Sequence, residues 1–134
     1  MANTLSVFDV AGRAMSAQLL RLNTTASNLA NAGSVSATRE GAFRALKPVF
    51  KTAGGDPGVA TVDVSRVVQS GLEPVKRHEP GHPLADANGD VWEAGVDTSA
   101  ELIDMVESAR QYQNNVQVLQ TAKTLTLDTL RLGQ

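Results

Sequence analysis

The sequence predicts an α+β protein whose long N- and C-terminal helices pair as a coiled coil, with a small β-rich central segment between them. Three observations predict this. Leu5, Phe8, Gly12, Met15, Leu19, Leu22, Ala26 and Leu29 step by three or four residues near one end, the spacing of a single helix face. Leu102, Met105, Ala109, Tyr112, Val116 and Leu119 do the same near the other end. The stretch between them is broken by glycine and proline and alternates with period two. The chain therefore divides into an N-terminal coiled-coil helix over residues 1–31, a central loop and β-hairpin segment over 32–96 and a C-terminal coiled-coil helix over 97–134, forming one structural unit.

The first helix has Asn3 or Thr4 as candidate cap, since a short polar side chain can accept an orphan backbone N–H there. Over its length to about Asn31 the rise gives roughly 40 Å. Between Ala14 and Thr38 the only charged residue is Arg21. The outer face is Ser, Thr, Asn and Gln, a surface suited to contact with protein, where unpaired charge is costly. Asn31 or Gly33 is expected to take a left-handed cap, and residues 32–42 read as a loop.

Phe43 to Phe50 reads as extended, with Pro48 demoting it to an edge. Gly54, Gly55, Asp56, Pro57 and Gly58 make a strong turn. In the next run, Val62 and Val64 alternate with Thr61, Asp63 and Ser65, which predicts a half-buried strand with the valines inside. Leu72–His78 is expected to pair with that strand across Gln69–Ser70–Gly71. Glu79, Pro80, Gly81, His82 and Pro83 exclude regular structure, and a short strand at Asp90–Ala94 holds Trp92, read as a core anchor. Asp97 to Glu101 opens the second helix, with Thr98 and Glu101 at capping-box spacing. Its second half, with Val118, Leu119, Ala122, Leu125, Leu127, Leu130 and Leu132, is apolar in several directions, as in a helix covered on several sides. One stripe buried against one partner helix does not offset the ordering of so long a segment. Both termini are therefore expected to order fully only when neighbours cover them.

Lys and Arg total 12 against 14 Asp and Glu, a formal net charge of −2. That balance lacks the basic footprint of a nucleic-acid binder. With no cysteine, disulfide and thiolate chemistry are excluded. No run approaches the ~20 apolar residues of a membrane helix. Asp9 and Arg13 interrupt any signal-peptide core, so the chain is expected to be cytosolic or to leave by a route that reads no such signal.

Candidate chemistry is sparse. His78, His82 and Asp86 have the spacing of a zinc set on one helix face, the basis for a rival reading as a small metal-dependent hydrolase. Pro80, Gly81 and Pro83 forbid that helix, so no metal, catalytic residue or cofactor is predicted. Asp86, Asn88, Gly89 and Asp90 read as an Asn–Gly hairpin turn. The amides of Asn28 and Asn31 either cap the first helix or fix the register of a neighbouring one; composition leaves both open.

Three blocks decide between these readings: LNTTASNLANA at Leu22–Ala32, EPGHPLADANGDV at Glu79–Val91, and ARQYQNNVQV at Ala109–Val118 followed by TLTLDTLRLGQ. Together they resemble the bacterial flagellar axial proteins, and among them the C-type subunits of the proximal rod. Another axial subunit, from rod or hook-associated proteins, is the nearest alternative. His78 and Asp90 stand where that pattern has aromatics.

The resemblance implies a non-enzymatic structural subunit in the basal-body rod that crosses the periplasm and transmits torque. It implies export, uncleaved, by the flagellar type III apparatus. The implied partners are copies of itself, the other proximal-rod proteins, the distal-rod protein and the adaptor between rod and membrane ring, with no nucleic acid and no membrane insertion. The subunit-interface residues expected are Leu19, Leu22, Leu29, Leu119, Leu125 and Leu130 as apolar seam, and Asn28, Asn31, Tyr112 and Asn115 as polar specifiers.

Overall fold

The computed structural model describes residues 6–56 and 59–134. Helix α1 (Val7–Asn31) and helix α2 (Thr98–Leu132) enclose strands β1 (Val35–Ser36), β2 (Leu46–Asp56), β3 (Val59–Gln69), β4 (Val75–His78) and β5 (Asp90–Glu93) in chain order. At 1.5 Å per residue, the 25 residues of α1 and the 35 of α2 span about 37 and 52 Å.

The cap of α1 is Ser6, whereas Asn3 and Thr4 lie outside the described residues. Ser6 Oγ accepts from the Asp9 N–H at 3.2 Å and Asp9 Oδ2 accepts from the Ser6 N–H at 3.1 Å, a reciprocal capping box. The far end of α1 departs from expectation. Neither Asn31 nor Gly33 is left-handed, and Ala32 caps in the right-handed region. The reason is local: the Ser34 N–H and hydroxyl both donate to the Asn31 carbonyl, at 3.0 and 2.8 Å. The orphan acceptor is thus satisfied without a left-handed residue, and the chain runs on into β1.

The cap of α2 is Asp97, whose Oδ1 accepts from the Ala100 N–H at 3.1 Å. This displaces Thr98 from the capping role and frees Glu101 to turn inward.

The helices run antiparallel. Asn28 and Arg21 of α1 bond Glu101 and Asp104 near the start of α2, while Val7 lies beside Val118, Ala122 and Leu125. Burial on α1 recurs at Ala11, Ala14, Gln18, Arg21, Thr25 and Asn28, and on α2 at Glu101, Met105, Ser108, Tyr112, Asn115, Leu119 and Ala122. Both runs step by alternating threes and fours, the repeat of a coiled-coil seam.

β2 and β3 form an antiparallel two-stranded ribbon lying against α1. Both strands are edges, which is how Pro48 is accommodated opposite Val67. The alternation of β3 is the reverse of that expected at its start. Thr61 is buried and Val62 exposed, because the Thr61 hydroxyl donates across the ribbon to the Ala53 carbonyl.

Leu72–His78 does not extend the ribbon. Its strand, β4, pairs with β5, which also holds β1, giving the order β1-β5-β4. The small sheet is tied to the ribbon where the Ala45 N–H donates to the Gly95 carbonyl and the Gly95 N–H to the Phe43 carbonyl, at 3.2 and 2.8 Å. Val91 is the fully buried residue of β5, while Trp92 is only half-buried.

Candidate assembly interface

The centre of the molecule is a junction in which side chains of α1, β2 and α2 converge. Asn28 is 0% exposed. Its Oδ1 accepts from the Leu46 N–H at 2.8 Å, and its Nδ2 donates to the Leu46 carbonyl at 2.8 Å and to Glu101 Oε2 at 3.0 Å. The side-chain amide thus stands in for a strand peptide at the start of β2.

Glu101, 2% exposed, is bonded on its other oxygen by Lys47 Nζ. Lys47 also donates to Asp104 Oδ2 at 3.0 Å, and Arg21 to Asp104 Oδ1 at 3.0 Å. Burial pushes the Lys47 ammonium down, but the hydrogen bonds to Glu101 and Asp104 outweigh it and hold the group above its ordinary value. Burial likewise pushes the Asp104 carboxyl up, and the bonds from Lys47 and Arg21 outweigh it, leaving the group below its ordinary value. A buried carboxylate tolerates this position only because its charge is matched.

The interior is small and polar. Its fully buried members include Ala11, Ala17, Thr25, Asn28, Thr61 and Ser108. Of the large side chains, Met105, Tyr112 and Leu119 enter the seam only half-buried, and many others point elsewhere. On α1 the stripe running through Phe8, Gly12, Met15 and Leu19 lies about a third of a turn from the seam that meets α2, and Phe8 and Leu19 are exposed. On α2, Ile103 is 67% and Leu130 64% exposed, and Leu102, Val106, Val118 and Leu125 also face outward.

The expected interface residues separate accordingly. Leu19, Leu125 and Leu130 are exposed; Leu22, Leu29, Leu119, Tyr112 and Asn115 are half-buried. Asn28 is consumed inside the chain, and half-buried Asn31 donates to the Ser27 carbonyl of its own helix at 2.8 Å. Sequence reasoning missed Lys47, Glu101, Asp104 and Arg21. The signal was there for Glu101, which opens the series Glu101, Met105, Ser108, Tyr112 in a position where a charge needs a partner.

His78, His82 and Asp86 do not converge. His78 Nδ1 lies 2.8 Å from Asp90 Oδ1, His82 Nδ1 accepts from the Leu84 N–H, and Asp86 Oδ1 accepts from the N–H groups of Asn88 and Asp90. Among the described residues no three His, Cys, Asp or Glu side chains are grouped to hold a metal ion. No helix among them is long and apolar enough to cross a membrane.

Comparison with known proteins agrees with this arrangement. The family model described as "Flagella basal body rod protein" matches residues 8–35, and that described as "Flagellar basal body rod FlgEFG protein C-terminal" matches residues 87–132. The matched stretches cover α1 from its second residue onward and the whole of α2. The flagellar basal-body rod protein FlgC of Salmonella typhimurium is 46% identical over 132 residues, covering 97% of this chain and 98% of the relative. That of Escherichia coli O6:H1 is 46% identical and that of Yersinia enterocolitica 44%, with the same coverage. With this identity sustained from end to end, the chain belongs to the FlgC family of flagellar basal-body rod proteins.

Proposed function

We propose that the chain is a structural, non-enzymatic subunit of the proximal part of the flagellar rod, exported uncleaved by the flagellar type III apparatus into the periplasm-spanning shaft. One observation carries this reading: the most deeply buried part of the intramolecular seam is small and polar, Met105, Tyr112 and Leu119 are only half-buried in it, and Phe8, Leu19, Ile103, Val106, Leu125 and Leu130 face outward. A soluble monomer rarely leaves extended apolar faces uncovered. Covered by neighbours, the same faces fasten each subunit on several sides, as a stiff tube under torque requires. The scarcity of charge on α1 lets that face be covered without stranding an ion.

The neighbours are copies of this chain, the other proximal-rod proteins, the distal-rod protein and the adaptor joining rod to membrane ring. Leu19, Leu22, Leu29, Leu119, Leu125 and Leu130 supply apolar contact, with Tyr112 and Asn115 as polar contacts at the seam's margin. Asn28 acts within the subunit, setting the helix pair against the ribbon, and Asn31 shapes the end of α1.

The test is complementation of a strain lacking the gene, with localisation by basal-body fractionation. The natural chain should restore swimming and co-fractionate with basal bodies. Leu19→Glu and Leu125→Glu should fold as the natural chain does, yet fail to restore motility. Normal swimming with both substitutions, or a stoichiometric metal ion retained through dialysis, would overturn the reading.

A further inference from the structure

We infer that the outer ridge of α2 in one copy seats in the cleft between α1 and β3 of a second copy. The inference rests on the proposed reading of the chain as a self-assembling rod subunit. The cleft has Gly12, Ser16 and Ala17 on the α1 side, with Leu20, Val62 and Val64 flanking it. Leu20 and Val62 are exposed.

Gly12 lies inside a 25-residue helix, where glycine is less favourable than alanine. A Cβ built there meets no heavy atom of the described residues within 4 Å. Packing within the described chain therefore gives no reason for glycine, whereas a segment approaching the helix backbone from outside does.

The ridge is formed by Leu102, Ile103 and Val106, each more than half exposed, with Glu107 and Arg110 beside them. Ile103 and Val106 lie on the side of α2 opposite Glu101 and Ser108 by the helical repeat, so the ridge points away from α1. It cannot reach the cleft of its own chain.

The charges complement one another. The cleft carries the exposed pair Arg13–Asp63 at 3.3 Å, and the ridge carries one acid and one base three residues apart. Glu107 Oε2 lies 3.7 Å from Arg21 Nη2 in its own chain, with its side chain still half exposed. Docking brings Arg110 to Asp63 and the exposed part of Glu107 toward Arg13, placing charges around an apolar centre. This division into apolar core and charged rim is that of a specific interface. The two surfaces differ, so the contact is head-to-tail. Repetition of such a contact builds a ring or an open helical array, according to whether the rotation closes, rather than a two-fold dimer.

The chain has no cysteine, so an engineered pair reports without background. Ser16→Cys/Val106→Cys protein in basal bodies, oxidised mildly, should give a ladder of dimers and higher species on a non-reducing gel. Either single variant should give no ladder, and the double variant carrying Ile103→Asp should lose it. Gly12→Leu should leave the thermal midpoint of the isolated chain unchanged or higher while abolishing incorporation into basal bodies. Monomer alone from double-variant basal bodies, equal ladders from the single variants, or normal swimming with Gly12→Leu would each overturn the proposal. Basal-body fractionation of the natural chain tests the rod assignment separately: if it co-fractionates while the double variant gives no ladder, the contact fails and the rod reading stands.

Discussion

Asn28 grips Leu46 by both backbone groups, accepting from its N–H and donating to its carbonyl, each at 2.8 Å. One side chain thereby fixes where the β2–β3 ribbon departs from the helix pair. Asn28→Ala should leave the Leu46 N–H and carbonyl without these partners in a buried site and remove a donor from Glu101. At about 1–3 kcal/mol for each unsatisfied group, with water recovering part of the loss, the cost should be about 2–4 kcal/mol in urea unfolding. Asn28→Asp should be worse at neutral pH, because it places a carboxylate against the Leu46 carbonyl and Glu101.

Lys47 supplies the positive charge that Glu101 needs. Lys47→Met should strand a buried carboxylate, at a cost of about 3–5 kcal/mol. Adding Glu101→Gln should recover most of that loss, since the neutral amide can still accept from Asn28. A double-mutant cycle on unfolding free energies measures the coupling. Additive effects would show that the ion pair contributes nothing.

The same junction sets a pH dependence. Asp104 sits below its ordinary 3.8 despite burial, because Lys47 and Arg21 bond its carboxylate. A carboxylate lowered in the folded state adds stability that is present above the unfolded value and disappears as pH falls through the folded one. Lys47, raised above 10.5 by Glu101 and Asp104 against the opposing effect of burial, acts with the reverse sign: its contribution is complete below 10.5 and disappears as pH rises through the raised value. The junction's contribution should therefore be flat through neutrality, failing below about 3.8 and above about 10.5. Urea titrations of Asp104→Asn should show a shallower acid limb than those of the natural chain.

Much of the architecture was legible because helix signals are local. The end of α1 at Asn31 and the span of α2 to Leu132 follow from spacing and punctuation, whereas Gly54, Gly55 and Asp56, read as turn, continue strand β2, and Pro57 and Gly58 lie outside the described residues. The pairing of Leu72–His78 did not, because nothing near those residues says which distant strand they meet. Periodicity also gave the stripe through Phe8, Gly12, Met15 and Leu19 without saying whether it faces inward. It faces outward because Ala11, Gln18, Thr25 and Asn28, a rotated and less conspicuous set, take the contact with α2. The capping-box spacing of Thr98 and Glu101 misled for a related reason. Asp97 caps more directly, and a buried acid is visible only once Lys47 is known to stand beside it.

His78 and Asp90, the two positions that depart from the axial-protein pattern, prove to be cross-strand partners in β4 and β5. The His78 ring and the Asp90 carboxylate make a contact of 2.8 Å, and Lys76 adds a bond to the same carboxylate at 2.7 Å. The hairpin behind them turns at Gly89, whose φ of +77° costs other L-residues about 1–2 kcal/mol. Its Cβ position also lies 3.1 Å from Pro80 Cβ and 3.2 Å from His78 Cε1. Gly89→Ala should lower stability by at least that 1–2 kcal/mol and speed amide exchange at Asp90, whose N–H donates to Asp86. An unchanged thermal midpoint would refute this.

The position of the junction predicts where order fails when the chain is alone. Asn28, Arg21, Lys47, Glu101 and Asp104 tie the helices together at the end of α1 and the start of α2. At the opposite end Val7 meets Val118, Ala122 and Leu125, and these contacts leave Val7, Val118 and Leu125 largely exposed. Burial there is too slight to offset roughly 1–2 kcal/mol of backbone entropy per ordered residue. In dilute solution the helical circular dichroism should fall short of the 25 and 35 residues of α1 and α2. Amide exchange should be fast in Val7–Val10 and Val118–Leu132 and slow around Asn28 and Ser108. Rising concentration should restore helix as copies cover the outward faces. Full helicity in the dilute monomer, with uniform protection along both helices, would show that the termini need no neighbours and would remove the physical basis for assembly-driven ordering.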